Sequence, residues 1–481
     1  MAVLTFLKII SIIVAFIGVS FLIPIGTALA LGETAVIASF AVPMIASWIA
    51  AIVIFIAGRK TEIRLSTRGT FVIVALAWIC GSVFGALPLY CSCAIPHFAD
   101  AIFESVSGFS TTGATILSEV ESLPRSINLW RCEMHWLGGM GIVALTVALL
   151  PLLGVGGFQL IKAETTGPEK GKVTPKITTT AKILWLSYGV LTAVQTALLL
   201  FAGMDFIDAL SHAFATLGTG GFSTKNSSVG TYGSVSIDVI CTVFMFLSGI
   251  NFSLYYYAVT GKFSEIRDNS ELKAYFAVFI AASLGIAFVI TKQYGSFLQA
   301  LRYGSFQVAS ILTTTGFATA DFTTWAPTAQ LLIFILYFLG GCAGSTGGGI
   351  KVVRWVVLAK QLHNETEKML HPHGIFNIRL NGKVAGKDLV PNVAAFVSLY
   401  LLLVFITTAI GCLFDLDLFS ALTGALSMVG NVGPGFGKLG PACNYGFLPD
   451  AVKWWYSFAM LAGRLELYTM ILYFLPAFWK K

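Results

Sequence analysis

Charge is what this sequence has least of. Only 11% of its 481 residues are Asp, Glu, Lys or Arg, against roughly 25% in an ordinary soluble domain, so the chain cannot cover itself with polar surface. The groupings that mark most enzymes and metal proteins are missing too. There are eight cysteines and six histidines, but no C-x-x-C, and the close pair Cys91 and Cys93 has neither zinc-site spacing nor the density of a disulfide framework. The cysteines therefore read as small packing residues. The glycine run GGCAGSTGGGIK (340–351) is no P-loop, because Ile350 stands where the phosphate-binding lysine would follow Gly349. A serine hydrolase built on Ser345 would want a base nearby, and His363, His371 and His373 lie in a later polar stretch. With no dyad or metal cluster inside the apolar segments, nothing points to an enzyme.

What the chain has instead is hydrophobic length. Runs of about twenty apolar residues, enough to cross a hydrocarbon core of about 30 Å as helices, recur near 4–31, 35–57, 69–92, 129–152, 181–203, 234–259, 272–292, 327–358, 388–413 and 451–478. The first is too long for a signal-peptide core and has no persuasive cleavage site. Basic residues fall in clusters: Arg59 to Arg68, Lys162 to Lys182, Lys262 to Lys273, Lys351 to Lys387, and both ends of the chain. Ten spans place all of these on one side, which the positive-inside rule makes cytoplasmic, with both termini there. The net charge of +7 then records topology and not an affinity for nucleic acid.

Between the spans lie four shorter stretches that align without a gap: DAIFESVSGFSTTG (100–113), DALSHAFATLGTGG (208–221), YGSFQVASILTTTG (303–316) and SALTGALSMVGNVG (420–433). At this length each is re-entrant and not spanning. The first column (Asp100, Asp208, Tyr303, Ser420) supplies helix N-cap residues in three repeats, and the eighth (Ser107, Ala215, Ser310, Ser427) is small, as close helix packing favours. The fifth carries Glu104, His212 and Gln307, which read as buried hydrogen bonding around the short helices. The quartets that end the repeats are Ser110-Thr111-Thr112-Gly113, Gly218-Thr219-Gly220-Gly221, Thr313-Thr314-Thr315-Gly316 and Gly430-Asn431-Val432-Gly433. A cation leaving water needs its hydration oxygens replaced, and a ring of backbone carbonyls does this. Turning carbonyls toward one axis demands dihedrals that glycine adopts at little steric cost. Irregular backbone at membrane depth is tolerated where it lines a watery path. Glycine-rich stretches also serve plain helix packing, but four in register, each flanked by spans, predict a pore for a monovalent cation.

The patterns STTGAT (110–115), GTGGFST (218–224), TTTGFATAD (313–321) and NVGPGFG (431–437), carried on span–loop–span units, resemble the Trk/Ktr/HKT potassium transporter superfamily over essentially the whole chain. With two extra N-terminal spans, the chain is most similar to the bacterial TrkH branch. The resemblance implies an all-α polytopic membrane protein. Four tandem span–pore loop–span repeats (69–160, 161–262, 263–387 and 388–481) surround a pseudo-fourfold pore, preceded by a helical pair (1–68). It implies potassium uptake across the bacterial inner membrane, a homodimer, and a cytosolic nucleotide-binding regulator of the TrkA kind that carries the nucleotide. The sixteen quartet residues become a selectivity filter, with potassium at Thr112, Gly113, Gly220, Gly221, Thr315, Gly316, Val432 and Gly433. No repeat has the T-V-G-Y-G strand of tetrameric potassium channels, so looser discrimination against sodium is expected.

Two further features lie at membrane depth. The eighth span is interrupted at 340–350, which the residues alone allow to be a glycine-faced helix crossing or a broken helix lining the pore. The resemblance favours the second, a gate formed by Gly344, Ser345, Thr346, Gly347, Gly348 and Gly349. Arg464, in the middle of the last span, costs at least about 2.5–3.5 kcal/mol to insert and must face protein or water. Glu466 is a poor partner, because residues two apart on a helix do not face each other. The resemblance puts Arg464 in the cavity below the filter, as part of the gate. Glu133 and His135 read as a solvated face near the outer end of the fourth span. The alternative to channel-like conduction is a proton- or sodium-coupled symporter, whose chain of intramembrane carboxylates is not seen. The polar stretch from Lys360 to Lys387, with Lys162 to Lys182 as a second contact, is the expected dock for the regulator.

Overall fold

The computed structural model describes residues 2–59, 67–141, 177–386 and 388–480. Helix dominates it, and among these residues the one sheet is a hairpin of two short strands, Arg379–Leu380 and Lys383–Val384. Six helices are long and apolar enough to cross a membrane alone: Leu4–Leu31, Thr34–Ala57, Arg68–Cys91, Ile183–Phe201, Ser270–Tyr294 and Leu389–Leu413. A seventh crossing is a pair, Val235–Ser248 and Phe252–Val259, bent by 94°. The first two helices turn on Gly32 (φ 73°) and pack Phe21 against Phe40 and Trp130, which joins them to the first repeat.

Each repeat contributes an outer helix, a short pore helix and an inner helix. The pore helices are Phe98–Phe109, Phe206–Leu217, Phe297–Leu312 and Leu418–Gly430. They start earlier than the aligned first column. Asp205 and Asp417, three residues upstream of Asp208 and Ser420, are the N-caps and accept from the Asp208 and Ser420 amides. His97 and Ser296 stand at the caps of the other two, without a side-chain bond. The first column thus lies within the first turn or two of each helix. The capping chemistry expected of it sits one turn earlier, where the chain first turns inward.

The inner helices begin at Arg125, Val235, Pro327 and Asp450 and stop at Gly139, Ser248, Leu336 and Arg464. Set in register from these starts, they show a repeat of their own: LGG at 137–139, LSG at 247–249, LGG at 339–341 and AGR at 462–464. All four helices give out at or just before this column. The spans expected as continuous at 234–259 and 451–478 are therefore broken, and the one at 327–358 is interrupted at the glycine run as its sequence led us to expect; the one at 129–152 ends as a helix at Gly139, and 142–176 lie outside the described residues. Hydropathy cannot register such breaks, because both halves stay apolar; the glycine column is what releases the helix.

Ion pairs join successive repeats where an inner helix meets the next pore helix. Arg125 pairs with Asp205 and, at 3.4 Å, with Asp208; Asp238 pairs with Arg302 at 2.7 Å; Lys453 pairs with Asp100 at 2.5 Å. Between the third and fourth repeats the contact is aromatic, Phe334 on Phe419 and Tyr337 on Phe436. Gln330, which occupies the register position of Asp238 and Lys453, turns back to the Thr323 and Trp325 carbonyls of its own repeat.

Candidate ion pathway

Each pore helix ends in a quartet with one backbone form. The second residue is left-handed in every case (Thr111 φ 57°, Thr219 53°, Thr314 60°, Asn431 55°), and so is the closing glycine (Gly113 78°, Gly221 82°, Gly316 83°, Gly433 100°). The amide of the third residue returns to the eighth-column carbonyl: Thr112 to Ser107, Gly220 to Ala215, Thr315 to Ser310 and Val432 to Ser427, at 2.8–2.9 Å. That wrap brings the chain back over its own helix, a steric reason for small residues in the column.

The quartets close into one ring. A Cβ on Gly113 would lie 1.9 Å from the Gly220 carbonyl oxygen, on Gly221 2.0 Å from that of Thr315, on Gly316 2.2 Å from that of Val432, and on Gly433 2.6 Å from that of Thr112. Each closing glycine thus abuts the third-position carbonyl of the next repeat, and the fourth returns to the first. Backbone carbonyls gathered in such a ring are the kind of oxygen set that can replace a cation's hydration shell. The quartets' side chains are buried hydrogen-bonded spacers: Ser110 and Thr112 hydroxyls 2.7 Å apart, Thr313 and Thr315 2.7 Å, and Asn431 Nδ2 donating to Thr112 Oγ1 at 3.0 Å and to the Met460 carbonyl at 2.9 Å. One symmetry breach stands out. The Gly433 carbonyl accepts from both Ser427 Oγ (2.6 Å) and Tyr445 Oη (2.7 Å), which uses its lone pairs.

The fifth-column residues tie down the chain that leaves the ring. Glu104 accepts from the Ile116 amide (3.0 Å) and Thr115 Oγ1 (2.9 Å), His212 Nε2 meets Ser223 Oγ (2.9 Å), and Gln307 Nε2 donates to the Ala320 carbonyl (3.1 Å). This chain borders an open cavity whose walls include Ala114, Thr115, Pro434, Cys443 and Asn444. Glu133 and His135 do not form a solvated face, since both are fully buried. The pore helices and the second return segment cover them: His135 Nδ1 lies 2.8 Å from the Gly108 carbonyl, and its Nε2 accepts from the Phe222 amide at 3.2 Å.

On the opposite face of the ring lies the glycine run. The third inner helix ends at Leu336 and the next begins at Val352, so 337–351 is a loop at membrane depth. It touches the ring directly. Gly348 donates its amide to Thr314 Oγ1 at 2.7 Å, and a Cβ on Gly348 would lie 2.4 Å from the Gly430 carbonyl oxygen. The rest of the loop is fastened to the second repeat's break, with Cys342 donating to the Gly249 carbonyl (2.8 Å) and the Phe252 amide to that of Gly344 (3.0 Å). Lys351 reaches the Gly347 carbonyl.

Arg464 stands where the other three inner helices have glycine. Its guanidinium donates to the Thr346 carbonyl of the loop (2.7 Å) and to the Gly138 and Gly139 carbonyls at the first repeat's break (2.6 and 2.9 Å). The neighbouring Glu466 indeed does not pair with it; it holds Arg354 at 2.7 Å. Glu271, unnoticed in the sequence, accepts from the Ala343 amide (2.7 Å) and the Val353 amide (3.0 Å), one carboxylate holding the chain on both sides of the glycine stretch 344–349. The signal for Glu271 in sequence is nil. The signal for Arg464's neighbours was the repeated L-G-G.

The family model for TrkH, described as a cation transport protein, matches residues 38–292 and 276–481. The Trk system potassium uptake protein TrkH of Halomonas elongata is 40% identical over 433 residues, covering 89% of each chain. Its namesake in Escherichia coli is 39% identical over 438 residues, covering 88% of each. The crystal structure of the potassium transporter TrkH from Vibrio parahaemolyticus superposes with a TM-score of 0.88 at 32% identity, over the full length of both chains.

Proposed function

Because the chain belongs to the TrkH family of cation transport proteins, we propose that it takes up potassium across the bacterial inner membrane by channel-like conduction through the four-repeat ring. The observation that carries this reading is the closed cycle in which every closing glycine abuts the next repeat's carbonyl. The third-position carbonyls of Thr112, Gly220, Thr315 and Val432 make one coordination level, and the carbonyls of Gly113, Gly221 and Gly316 belong to a second. Gly433, whose carbonyl is already engaged twice, leaves that second level incomplete, in keeping with modest selectivity.

The loop 337–351 is the gate in this reading. It sits against the ring where a leaving ion would pass, and Arg464 places a positive charge beside it. With the ring's open cavity outside, both termini and the helix Val352–Leu370 lie in the cytoplasm. There a TrkA-like nucleotide-binding assembly would set the loop's position in a homodimeric protein.

The test is potassium flux in liposomes holding the purified protein, under defined gradients. Flux that follows the potassium gradient alone supports conduction. Uphill potassium movement driven by a proton or sodium gradient would replace it with symport.

A further inference from the structure

The fourfold repeat provides its own control for one buried ion pair. In the first repeat the Arg131 guanidinium donates through Nε and Nη2 to Glu104 Oε1 at 2.9 and 2.6 Å, with 1% and 0% of the two side chains exposed. Nη1 reaches Asn128 Oδ1 at 2.9 Å and the Ser223 carbonyl at 3.4 Å, Nη2 reaches Thr115 Oγ1 at 3.3 Å, and the guanidinium carbon lies 4.3 Å from the Phe222 ring centroid. One charged pair therefore touches three things at once: the first pore helix, the chain leaving Gly113, and the chain leaving Gly221 in the next repeat.

In the other repeats the register positions of Arg131 are Cys241, Ile333 and Tyr456, and those of Glu104 are His212, Gln307 and Gly424. No ion pair stands at any of them, yet all four quartets keep the same left-handed residues and the same return bond. The fold of a quartet does not need the pair. Nor is a buried pair a dependable source of stability, since apolar residues of similar volume commonly do as well. What the pair supplies that Ile333 cannot is directional bonding across a seam, and this is the seam where Gly113 meets the Gly220 carbonyl.

Resting on the conduction reading above, we infer that Glu104 and Arg131 are positioning residues that set the spacing of ring carbonyls between the first two repeats and thereby the preference for potassium over sodium. Carbonyl number and placement decide how well each ion's lost hydration is replaced. A seam held by a forked, charge-assisted contact moves less than one held by dispersion. The fully buried pair adds no net charge to the pathway, so its effect is on selectivity and not on attraction of cations.

The experiment compares wild type with Glu104→Gln/Arg131→Met in liposomes, reading the reversal potential in mixed potassium and sodium alongside melting temperature and gel-filtration profile in detergent. The double variant leaves no lone buried charge. It should elute and melt close to wild type while its potassium-to-sodium permeability ratio falls by roughly threefold or more. Glu104→Asp, which keeps the pair on a shorter stem, should recover part of the ratio. A folded double variant with an unchanged ratio would overturn the inference and leave the pair as filler. Should the double variant not fold, Arg131→Lys decides, since it keeps the charge and loses the fork: a lowered ratio supports positioning, an unchanged one overturns it. A wild-type protein that passes no potassium removes the conduction reading, and this inference with it, before any variant is compared.

Discussion

At the scale of single residues, the ring glycines are set by neighbours more than by their own dihedrals. Gly113 has φ 78° and a Cβ there would sit 1.9 Å from the Gly220 oxygen; Gly316 has φ 83° and the same relation to Val432 at 2.2 Å. Gly113→Ser or Gly316→Ser must therefore displace a carbonyl of the next repeat, and reversal potentials in mixed salts should show weakened discrimination against sodium. Unchanged selectivity in both variants would remove these glycines from the filter. Arg464→Gln should act differently. It gives up charge-assisted bonds to Thr346, Gly138 and Gly139, each worth about 1.5–3 kcal/mol, so rubidium flux should rise by roughly tenfold or more as the loop loosens. Flux equal to wild type would deny Arg464 a part in the gate. The closing glycines were legible in the sequence because a positive φ leaves few alternatives. The left-handed Thr111, Thr219 and Thr314 were not, since threonine has no preference for that region and only the surrounding ring imposes it. The solvated reading of Glu133 and His135 failed for a related reason: burial there comes from pore helices that no local pattern announces.

At the scale of elements, pore helices and outer helices could be placed from apolar length and the aligned quartets, and the third inner helix's break from its glycine run, whereas the breaks of the other inner helices could not. A 94° bend follows Ser248 inside a stretch that stays apolar throughout, and only the register of LGG, LSG, LGG and AGR marks all four breaks. Three of these turns release the chain with glycine at the final column, and the fourth puts Arg464 there. The third break, 337–351, is far longer than the second (249–251) and the fourth (465–467). Shortening it within Gly344 to Gly349 should raise rubidium flux and weaken its dependence on any regulator, with selectivity kept, because the ring's own carbonyls are untouched. Abolished flux in a variant that elutes as folded protein would make the loop a structural support. The seams bear on which helix moves. Three are fastened by ion pairs, while the aromatic seam between repeats three and four flanks the broken helix.

At the scale of the whole molecule, the proposed cytosolic regulator would have to act on the ring from a distance, and the contacts trace a continuous route. The segment from Lys360 to Lys387, read from the sequence as polar loop, is a helix running from Val352 to Leu370 followed by the hairpin 379–384. Lys360 Nζ donates to the Arg379 carbonyl at 2.6 Å, and Asn381 Oδ1 accepts from the Ser270 amide at 2.9 Å, so the hairpin is tied both to this helix and to the start of the third repeat's own outer helix, Ser270–Tyr294. The following residue, Glu271, holds Ala343 and Val353 on either side of the glycine stretch 344–349. Coupling between sites needs an element with two arrangements that both sites can bias. A glycine stretch pinned by one carboxylate on either side and by Arg464 at Thr346 has the few, separable contacts that such an element requires. Of the second expected contact, Lys162 to Lys182, residues 162–176 lie outside the described residues. Neutralising Lys368, Arg379 and Lys383 together should weaken co-purification of a cytosolic nucleotide-binding partner and uncouple flux from nucleotide, with the reversal potential in mixed salts unchanged. Glu271→Gln should leave co-purification intact and still blunt the nucleotide response, because it cuts the route beyond the dock. Undiminished regulation in the triple variant would place the docking surface elsewhere, and undiminished regulation in Glu271→Gln would mean that force reaches the loop through the helix Val352–Leu370 alone.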